Sequence, residues 1–164
     1  MASLEEIVEA LAQHPFTHDF TEEEQRSLAA LSTLQEFEPG TLIVHEGRAA
    51  DSFFLILEGM VAVEMLTPSH GRLRLQTIEA GEVVGWSWMV PPYRWTFDAR
   101  ALTPVKAIVI DAEKLREQFE GCPFCYRFLR RLLEVVAKRL DATRLRLMDL
   151  YLDVAQGQRG PSTL

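Results

Sequence analysis

The sequence predicts a mainly β domain, an antiparallel jelly roll or barrel, set between a short helical start and a long helical end. Three observations carry this prediction: capping signatures near the start, seven or eight short strand-like runs separated by turns, and one long helical periodicity near the end. A chain of 164 residues is long enough for one domain with a sizeable core. We expect N-terminal helices over residues 1–33, a β-roll over 34–111, C-terminal helices over 112–153 and a disordered tail over 154–164.

Two capping boxes mark the N-terminal helices. Ser3 is followed three residues later by Glu6, and Thr21 is followed in the same way by Glu24. In such a box each side chain bonds to the backbone N–H of the other residue, which satisfies donors that a helix start leaves open. Apolar residues follow the first box at helical spacing, and Pro15 ends that helix.

From residue 34 the hydrophobic period changes to that of strands. SFFLILEGMVAVEML is typical of two strands joined at Glu58–Gly59. RLRLQTI alternates apolar and polar residues, as a half-buried strand does, and ARALTPVKAIVI predicts two more strands separated at Thr103–Pro104.

One loop in this region has an unusual composition. The stretch GWSWMVPPYRW, residues 85–95, contains all three tryptophans of the chain together with two prolines and an arginine. Tryptophan is large and is usually placed with its N–H near a partner. The loop therefore either lines a ligand pocket or fills one.

The C-terminal region predicts a short helix over 112–119, capped by Asp111, and a long helix from about Pro123 to about Asp153. From Tyr126 onward, apolar residues recur at alternating spacings of three and four, which is a heptad seam. The seam positions that we expect to form a homodimer interface are Leu129, Leu133, Val136, Leu140, Thr143, Leu147 and Leu150. Alternatively, the seam packs only on its own roll. In a parallel pair, Arg139 of one chain would approach Arg144 of the other, which is unfavourable.

The net charge of −7 argues against general affinity for nucleic acid. The charge is uneven, because residues 126–152 carry seven Lys or Arg and three Asp or Glu, a net +4 that leaves −11 elsewhere. This basic helix either lies against an acidic body or offers a docking surface to an acidic protein partner.

The sequence contains no pattern that indicates an enzyme. Of the four histidines only His45, beside Glu46, lies at a predicted strand edge, and one histidine does not make a metal site. Cys122 and Cys125 form a lone CxxC motif, which is weak support for a redox role. We expect no catalytic residues, no metal and no cofactor.

Neither a membrane span nor a signal peptide is predicted. No apolar run approaches the ~18 residues that a spanning helix needs, and the N-terminus is acidic where a signal peptide is basic. We therefore expect a cytoplasmic protein.

The stretches FEPGTLIVHEGRAADSFFLILEGMVAVE and LQTIEAGEVVGW carry a specific series of motifs. These are Pro39–Gly40, Glu46–Gly47 with Asp51, Phe54–Val63 and Ile78–Gly85. In this order they resemble the cyclic-nucleotide-binding domain of the bacterial Crp/Fnr regulator superfamily, over about residues 20–152. The resemblance implies an eight-stranded β-roll of the double-stranded β-helix, cupin-like type, and a regulator that usually dimerises through its terminal helix.

The resemblance also implies a site, and this sequence departs from it there. The family's ribose-binding glutamate falls on Trp86 and its phosphate-binding arginine on Trp95, with Arg94 one position early. Either the two indoles fill the vacated space, or Arg94 takes over the anion, or a flat aromatic pocket with Ser87 and Arg94 as polar anchors accepts another small molecule. The candidate ligand-binding residues are Val84, Gly85, Trp86, Ser87, Trp88, Arg94, Trp95 and Thr96.

Family transcription regulators continue into a helix-turn-helix after the long helix, whereas this sequence ends about ten residues past its predicted helix. We expect no direct DNA binding, unless the chain is a fragment. The interpretation is a non-enzymatic sensor that binds a small molecule at residues 84–96, possesses a dimer seam and signals through the C-terminal helix. The alternative is an adaptor dimer with a plugged pocket that binds a protein partner.

Overall fold

The computed structural model describes residues 1–122 and 124–157, and these residues form two compact units. The first unit is Met1–Cys122 and contains the whole β structure. The second follows Cys122 and contains one long helix. Each unit is described below by itself.

Two helices open the first unit, α1 over Leu4–Gln13 and α2 over Glu22–Ala29. Both predicted capping boxes are present: the N-cap hydroxyls of Ser3 and Thr21 each accept the backbone N–H three residues on, at 3.2 Å. The apolar face of α1 is buried, as its spacing predicts.

Eight strands follow and form two four-stranded antiparallel sheets. The strands are β1 Ser32–Phe37, β2 Leu42–Val44, β3 Ser52–Glu58, β4 Met60–Thr67, β5 Gly71–Glu79, β6 Val83–Val84, β7 Asp98–Ala101 and β8 Val105–Asp111. Their order is β1-β8-β3-β6 in one sheet and β2-β7-β4-β5 in the other. The prediction of a mainly β roll with flanking helices is confirmed, although β1 begins two residues before the expected boundary, because Ser32 already pairs with Ile110.

Strand β3 separates two aromatic clusters. Successive side chains of a strand point to opposite faces, so Phe53 and Phe54 face different ways. The ring of Phe53 lies 5.4 Å from that of Phe16, in the N-terminal segment. The ring of Phe54 lies 6.4 Å from that of Phe37, on β1. Both faces of β3 are therefore covered, which explains why it reads as a continuous apolar run.

His14 follows α1 and is buried, with 3% of its surface exposed. The Phe16 N–H donates to its Nδ1 at 3.1 Å, so Nε2 carries the proton and donates to the Ile56 carbonyl at 3.2 Å. Burial lowers the pKa of His14, and the carbonyls of Ile56 and Glu82 oppose this effect in part. The side chain is therefore held as a neutral imidazole that joins the end of α1 to β3.

A short helix, α3 over Ala112–Gln118, closes the first unit. Its predicted N-cap is present, since the Asp111 carboxylate accepts the Lys114 N–H at 3.1 Å. The helix ends at Gln118, one residue before the expected 119, and Phe119 is its C-cap.

The second unit is α4, a helix of 33 residues over Cys125–Gly157. It extends past the predicted end at Asp153, so residues 154–157 are helical and the expected disordered tail is wrong for them. No helix-breaking residue lies at 153, because the next glycine or proline after Pro123 is Gly157. The rest of that tail, residues 158–164, and the expected helix start at Pro123 lie outside the described residues.

Within residues 1–122 and 124–157, no helix has the length and apolar character needed to cross a membrane. The same residues contain no group of three or more His, Cys, Asp or Glu side chains placed to hold a metal ion.

Candidate functional site

The loop between β6 and β7 lies alongside the turn that follows β2. The Gly47 N–H donates to the Trp95 carbonyl at 2.8 Å, and the Trp95 N–H donates to the Arg48 carbonyl at 2.9 Å. The Ala50 N–H donates to the Tyr93 carbonyl at 2.7 Å. These bonds fix the second half of the loop against residues 47–50, so the two segments form one structural feature.

The Trp95 side chain lies directly on Gly85. Trp95 is 7% exposed, and a Cβ added to Gly85 would overlap Cζ3 of the indole and lie 2.7 Å from its Cη2. Contacts this short are not possible, so only glycine leaves room for the ring. Gly85 also has a φ of +86°, which a side chain would disfavour. The indole occupies the space above the backbone at the start of the loop.

Three aromatic rings form a row that ends at this indole. The ring of Phe54 lies 6.4 Å from that of Phe37 on one side and 6.4 Å from that of Trp95 on the other. Val84 pairs with Phe54 in the sheet and is buried beside the row. The row is apolar and has no charged group of its own, and its Phe54 and Trp95 rings are buried.

Trp88 lies in a different cluster. It is fully buried, with its ring 5.2 Å from Phe53 and 6.1 Å from Phe119. Since Phe53 and Phe54 point to opposite faces of β3, the structure does not bring Trp88 and Trp95 together. Trp88 anchors the loop to the layer that contains α3.

The other expected site residues lie at the surface or partly so. Trp86 and Ser87 are half-buried, and Thr96 is exposed. Arg94 is exposed, and its Nη1 donates to the Gly47 carbonyl at 2.9 Å. The guanidinium is therefore bound on the outside of the loop.

Arg116 of α3 contacts the loop, and the sequence analysis did not predict this contact. Its Nη1 donates to the Trp88 carbonyl at 2.5 Å, and its Cζ lies 4.4 Å from the centre of the Tyr93 ring. This is a hydrogen bond combined with a cation–π contact. No motif connects Arg116 to residues more than twenty positions earlier, so only the fold reveals the pairing.

Two further arginines are committed to a network of carboxylates. Arg72 lies 3.3 Å from Glu64 and 3.0 Å from Asp98, and Arg100 lies 3.2 Å from Glu64. Glu64 is only 7% exposed, so its charge depends on these partners. The network joins β4, β5 and β7.

The charge state of Asp98 is set by this network. Burial raises its pKa, but the Glu46 N–H at 2.8 Å, the Arg72 guanidinium and nearby His45 together hold the pKa below its usual range. Asp98 is thus a stable anion that keeps Arg72 occupied.

The expected dimer seam lies as one stripe along α4. Its exposed members include Leu133 at 66%, Leu140 at 48% and Leu150 at 63%. Leu147 and Thr143 are also exposed, and Leu129 and Val136 are half-buried. Exposed leucines at heptad spacing are typical of a helix that pairs with another.

Comparison with known proteins supports a single family. The family described as "cyclic nucleotide-binding domain" matches residues 34–122. The chain is 31% identical over 116 residues to the cGMP-dependent protein kinase, isozyme 1, of Drosophila melanogaster, which covers 69% of this chain and 15% of that protein. It is 30% identical over 139 residues to the CRP-like cAMP-activated global transcriptional regulator of Mycobacterium tuberculosis, which covers 82% of this chain and 60% of that protein.

Among solved structures, a cyclic nucleotide-binding protein from Geobacter metallireducens is similar with a TM-score of 0.71 and 27% identity. That match covers 85% of this chain and 99% of the other. The chain therefore spans less than two thirds of the length of both relatives compared by sequence, but almost all of this solved structure.

Proposed function

Since this chain belongs to the cyclic nucleotide-binding domain family of the Crp/Fnr superfamily, we propose that it is a non-enzymatic regulatory homodimer whose phosphate subsite is closed by Trp95. In this proposal the β-roll keeps the family architecture but does not respond to cyclic AMP or cyclic GMP in the family's manner. The observation that carries it is the buried indole on Gly85.

A cyclic phosphate is a permanent anion, and a dry pocket holds it only with a charge-assisted partner such as arginine. Trp95 stands where the family resemblance places that arginine, and an indole offers no counter-charge. Loss of one partner of a buried ion pair costs about 2–5 kcal/mol. That corresponds to a loss of affinity of about 30-fold to several thousand-fold.

The neighbouring arginines do not replace the missing one. Arg94 donates to the Gly47 carbonyl on the exposed side of the loop. Arg72 and Arg100 are bound to Glu64, and Arg72 also to Asp98. Freeing either of them would leave the buried Glu64 carboxylate with one guanidinium instead of two, which is unfavourable.

The homodimer in this proposal rests on α4. Exposed leucines at heptad positions over three repeats leave apolar surface that a second copy of the same helix would cover. An exposed apolar stripe of this regularity is unfavourable for an isolated helix in water.

The proposal is tested by isothermal titration calorimetry with cyclic AMP and cyclic GMP. We expect no saturable binding at micromolar concentration for the unaltered chain. The matched variant Trp86→Glu with Trp95→Arg restores both family charges, and we expect it to bind at least about 30-fold more tightly. Submicromolar binding by the unaltered chain would contradict the proposal.

A second candidate is a sensor for a flat, uncharged small molecule. The row of Phe37, Phe54 and Trp95 supports it, because aromatic rings stack on planar ligands without needing a charge. Of the expected polar anchors, Ser87 is half-buried, whereas Arg94 would first have to leave the Gly47 carbonyl. The ligand would shift the population between two loop arrangements and thereby change the pairing of α4.

This candidate is tested by intrinsic fluorescence, since all tryptophans lie in the loop. We would titrate the chain with a panel of uncharged nucleosides and free bases. A saturable change in emission that Trp95→Leu abolishes would support the sensor. An unchanged emission with every compound would support the homodimer whose phosphate subsite is closed by Trp95.

A further inference from the structure

The loop between β6 and β7 has an exposed apolar apex, residues 90–93. Val90 is 55% exposed and Tyr93 is 38% exposed, and both prolines between them are exposed. These four consecutive apolar or aromatic residues are exposed, whereas the three tryptophans of the same loop are buried or half-buried.

The apex is held firmly in place. The Tyr93 N–H donates to the Val90 carbonyl at 2.9 Å, and the Tyr93 carbonyl accepts the Ala50 N–H at 2.7 Å. Arg116 lies against the Tyr93 ring from α3. A surface that is ordered in advance loses little conformational entropy on binding, so its contacts translate efficiently into affinity.

Three arginines lie around this apex, and we call them the arginine margin: Arg48, Arg94 and Arg116. Arg94 follows the apex directly and pairs with Ala49 in a β-bridge, which places Arg48 beside it. Arg116 contacts Tyr93 itself. The margin therefore adjoins the apex through the backbone of Arg48 and Arg94 and through the contact of Arg116 with Tyr93.

The charges of the margin are not neutralised locally. In the ranges 1–122 and 124–157, no ion pair joins any of the three to a carboxylate, not even to Glu113 or Glu117 on the helix that carries Arg116. By contrast Arg26, Arg72 and Arg100 each pair with at least one carboxylate. The margin thus offers three guanidinium groups that no carboxylate of the described residues pairs with.

We propose that the apex and the arginine margin form a docking surface for a protein partner, specifically for an acidic segment that carries an apolar or aromatic side chain. Tyrosine and arginine are enriched at the centres of protein interfaces, where they contribute most of the binding energy. Guanidinium groups bind carboxylates through two parallel hydrogen bonds, which favours an acidic partner. Nucleic acid is disfavoured because the whole chain is acidic and would repel an extended polyanion.

This surface is independent of the proposed closure of the phosphate subsite. Trp95 is buried against Gly85, whereas the apex faces solvent, so either proposal can fail without the other. The nucleotide titration above reports only on the buried site.

The experiment is a selection of random 12-residue peptides, displayed on phage, against the whole chain. We expect the selected sequences to be rich in Asp and Glu around one apolar or aromatic residue. A synthetic peptide of the selected sequence should bind with an affinity that falls as salt rises. The double variant Arg48→Glu with Arg94→Glu should weaken this binding by about tenfold or more.

Arg74→Glu is the control, because Arg74 is exposed on β5, outside the loop. The substitution reverses one charge, as each half of the double variant does. It should leave the peptide affinity unchanged, and thermal melts should show that all variants fold. Failure to select any peptide, selection of sequences without acidic residues, or an equal effect of Arg74→Glu would overturn the proposal. Tight binding of a 20-nucleotide oligothymidine that the double variant abolishes would overturn it too, by assigning the surface to nucleic acid.

Discussion

At the scale of single residues, the proposed closure of the phosphate subsite depends on the contact between Gly85 and Trp95. The ring lies where a side chain on residue 85 would be, so position 85 has no room for a larger residue while Trp95 is present. The sequence placed Trp95 on the position of the family's arginine. The sequence could not show whether the indole points into the roll or out of it. That direction depends on Gly85, which has no side chain, and on Phe54, which is distant in sequence.

Gly85→Ala should lower the free energy of unfolding by two additive effects. A Cβ costs about 1–2 kcal/mol at left-handed backbone angles, and its overlap with the indole costs a further 1–3 kcal/mol or so. Gly40→Ala is the matched control, since Gly40 has the same φ of +86° but nothing within 4 Å of a Cβ. Urea denaturation of the two variants therefore separates the contact from the backbone strain.

The same measurement in a Trp95→Leu background provides the decisive comparison. There the smaller side chain leaves room, and Gly85→Ala should cost no more than Gly40→Ala. Equal costs of the two alanine variants in the unaltered background would show that the indole does not lie on Gly85.

At the scale of secondary-structure elements, the periodicities predicted the helices and strands well. The capping boxes fixed the starts of α1 and α2, and the alternation of β3 and β4 was recognisable. What periodicity missed was a shift of register between Val63 and Glu64, where β4 pairs with β5. A bulge depends on the partner strand, so the burial of Glu64 and its ion pairs could not be foreseen from β4 alone.

The loop between β6 and β7 shows the same limit. Its composition predicted a specialised segment, but not that Trp88 and Trp95 belong to opposite faces of β3. Trp88 contacts Phe53 and Trp95 contacts Phe54, and neighbouring residues of a strand point to opposite faces. The sequence cannot predict this arrangement, because it does not show that the loop passes beside β3.

For α4 the seam remains a prediction, and Leu140→Asp tests it. A carboxylate at the centre of the seam should abolish pairing, because a buried unpaired charge costs several kcal/mol in an apolar interface. Sedimentation velocity should therefore show a dimer for the unaltered chain and a monomer for this variant.

Leu145→Asp is the matched control on the same helix. Leu145 is 59% exposed and is not one of the seam positions, so the change should leave the dimer intact. A dimer that survives Leu140→Asp, or that Leu145→Asp disrupts equally, would mean that the seam does not pair as expected.

At the scale of the whole molecule, His14 connects the stability of the roll to pH. The sequence placed this histidine before the roll and gave no sign that it would be buried, since burial depends on how α1 packs near β3. Burial lowers its pKa in the folded state, so the unfolded chain binds the proton more readily. The contribution of His14 is thus complete above the unfolded pKa of about 6.5 and is lost as pH falls below that value.

Urea denaturation at pH 7.5 and at pH 5.5 should therefore show a lower free energy of unfolding at the acidic pH. One group changes this free energy by at most about 1.4 kcal/mol per pH unit. His14→Gln should reduce the pH dependence, whereas His18→Gln, at an exposed position, should leave it as it was. An unchanged pH dependence in His14→Gln would assign the effect to other groups.

Both faces of β3 are covered, and this limits how the loop between β6 and β7 can move. Trp88 contacts Phe53 on one face of β3 and Trp95 contacts Phe54 on the other, with only six residues between the two tryptophans. The loop is thereby attached to both faces of one strand, so it cannot shift as a rigid body without losing an aromatic contact on one of them.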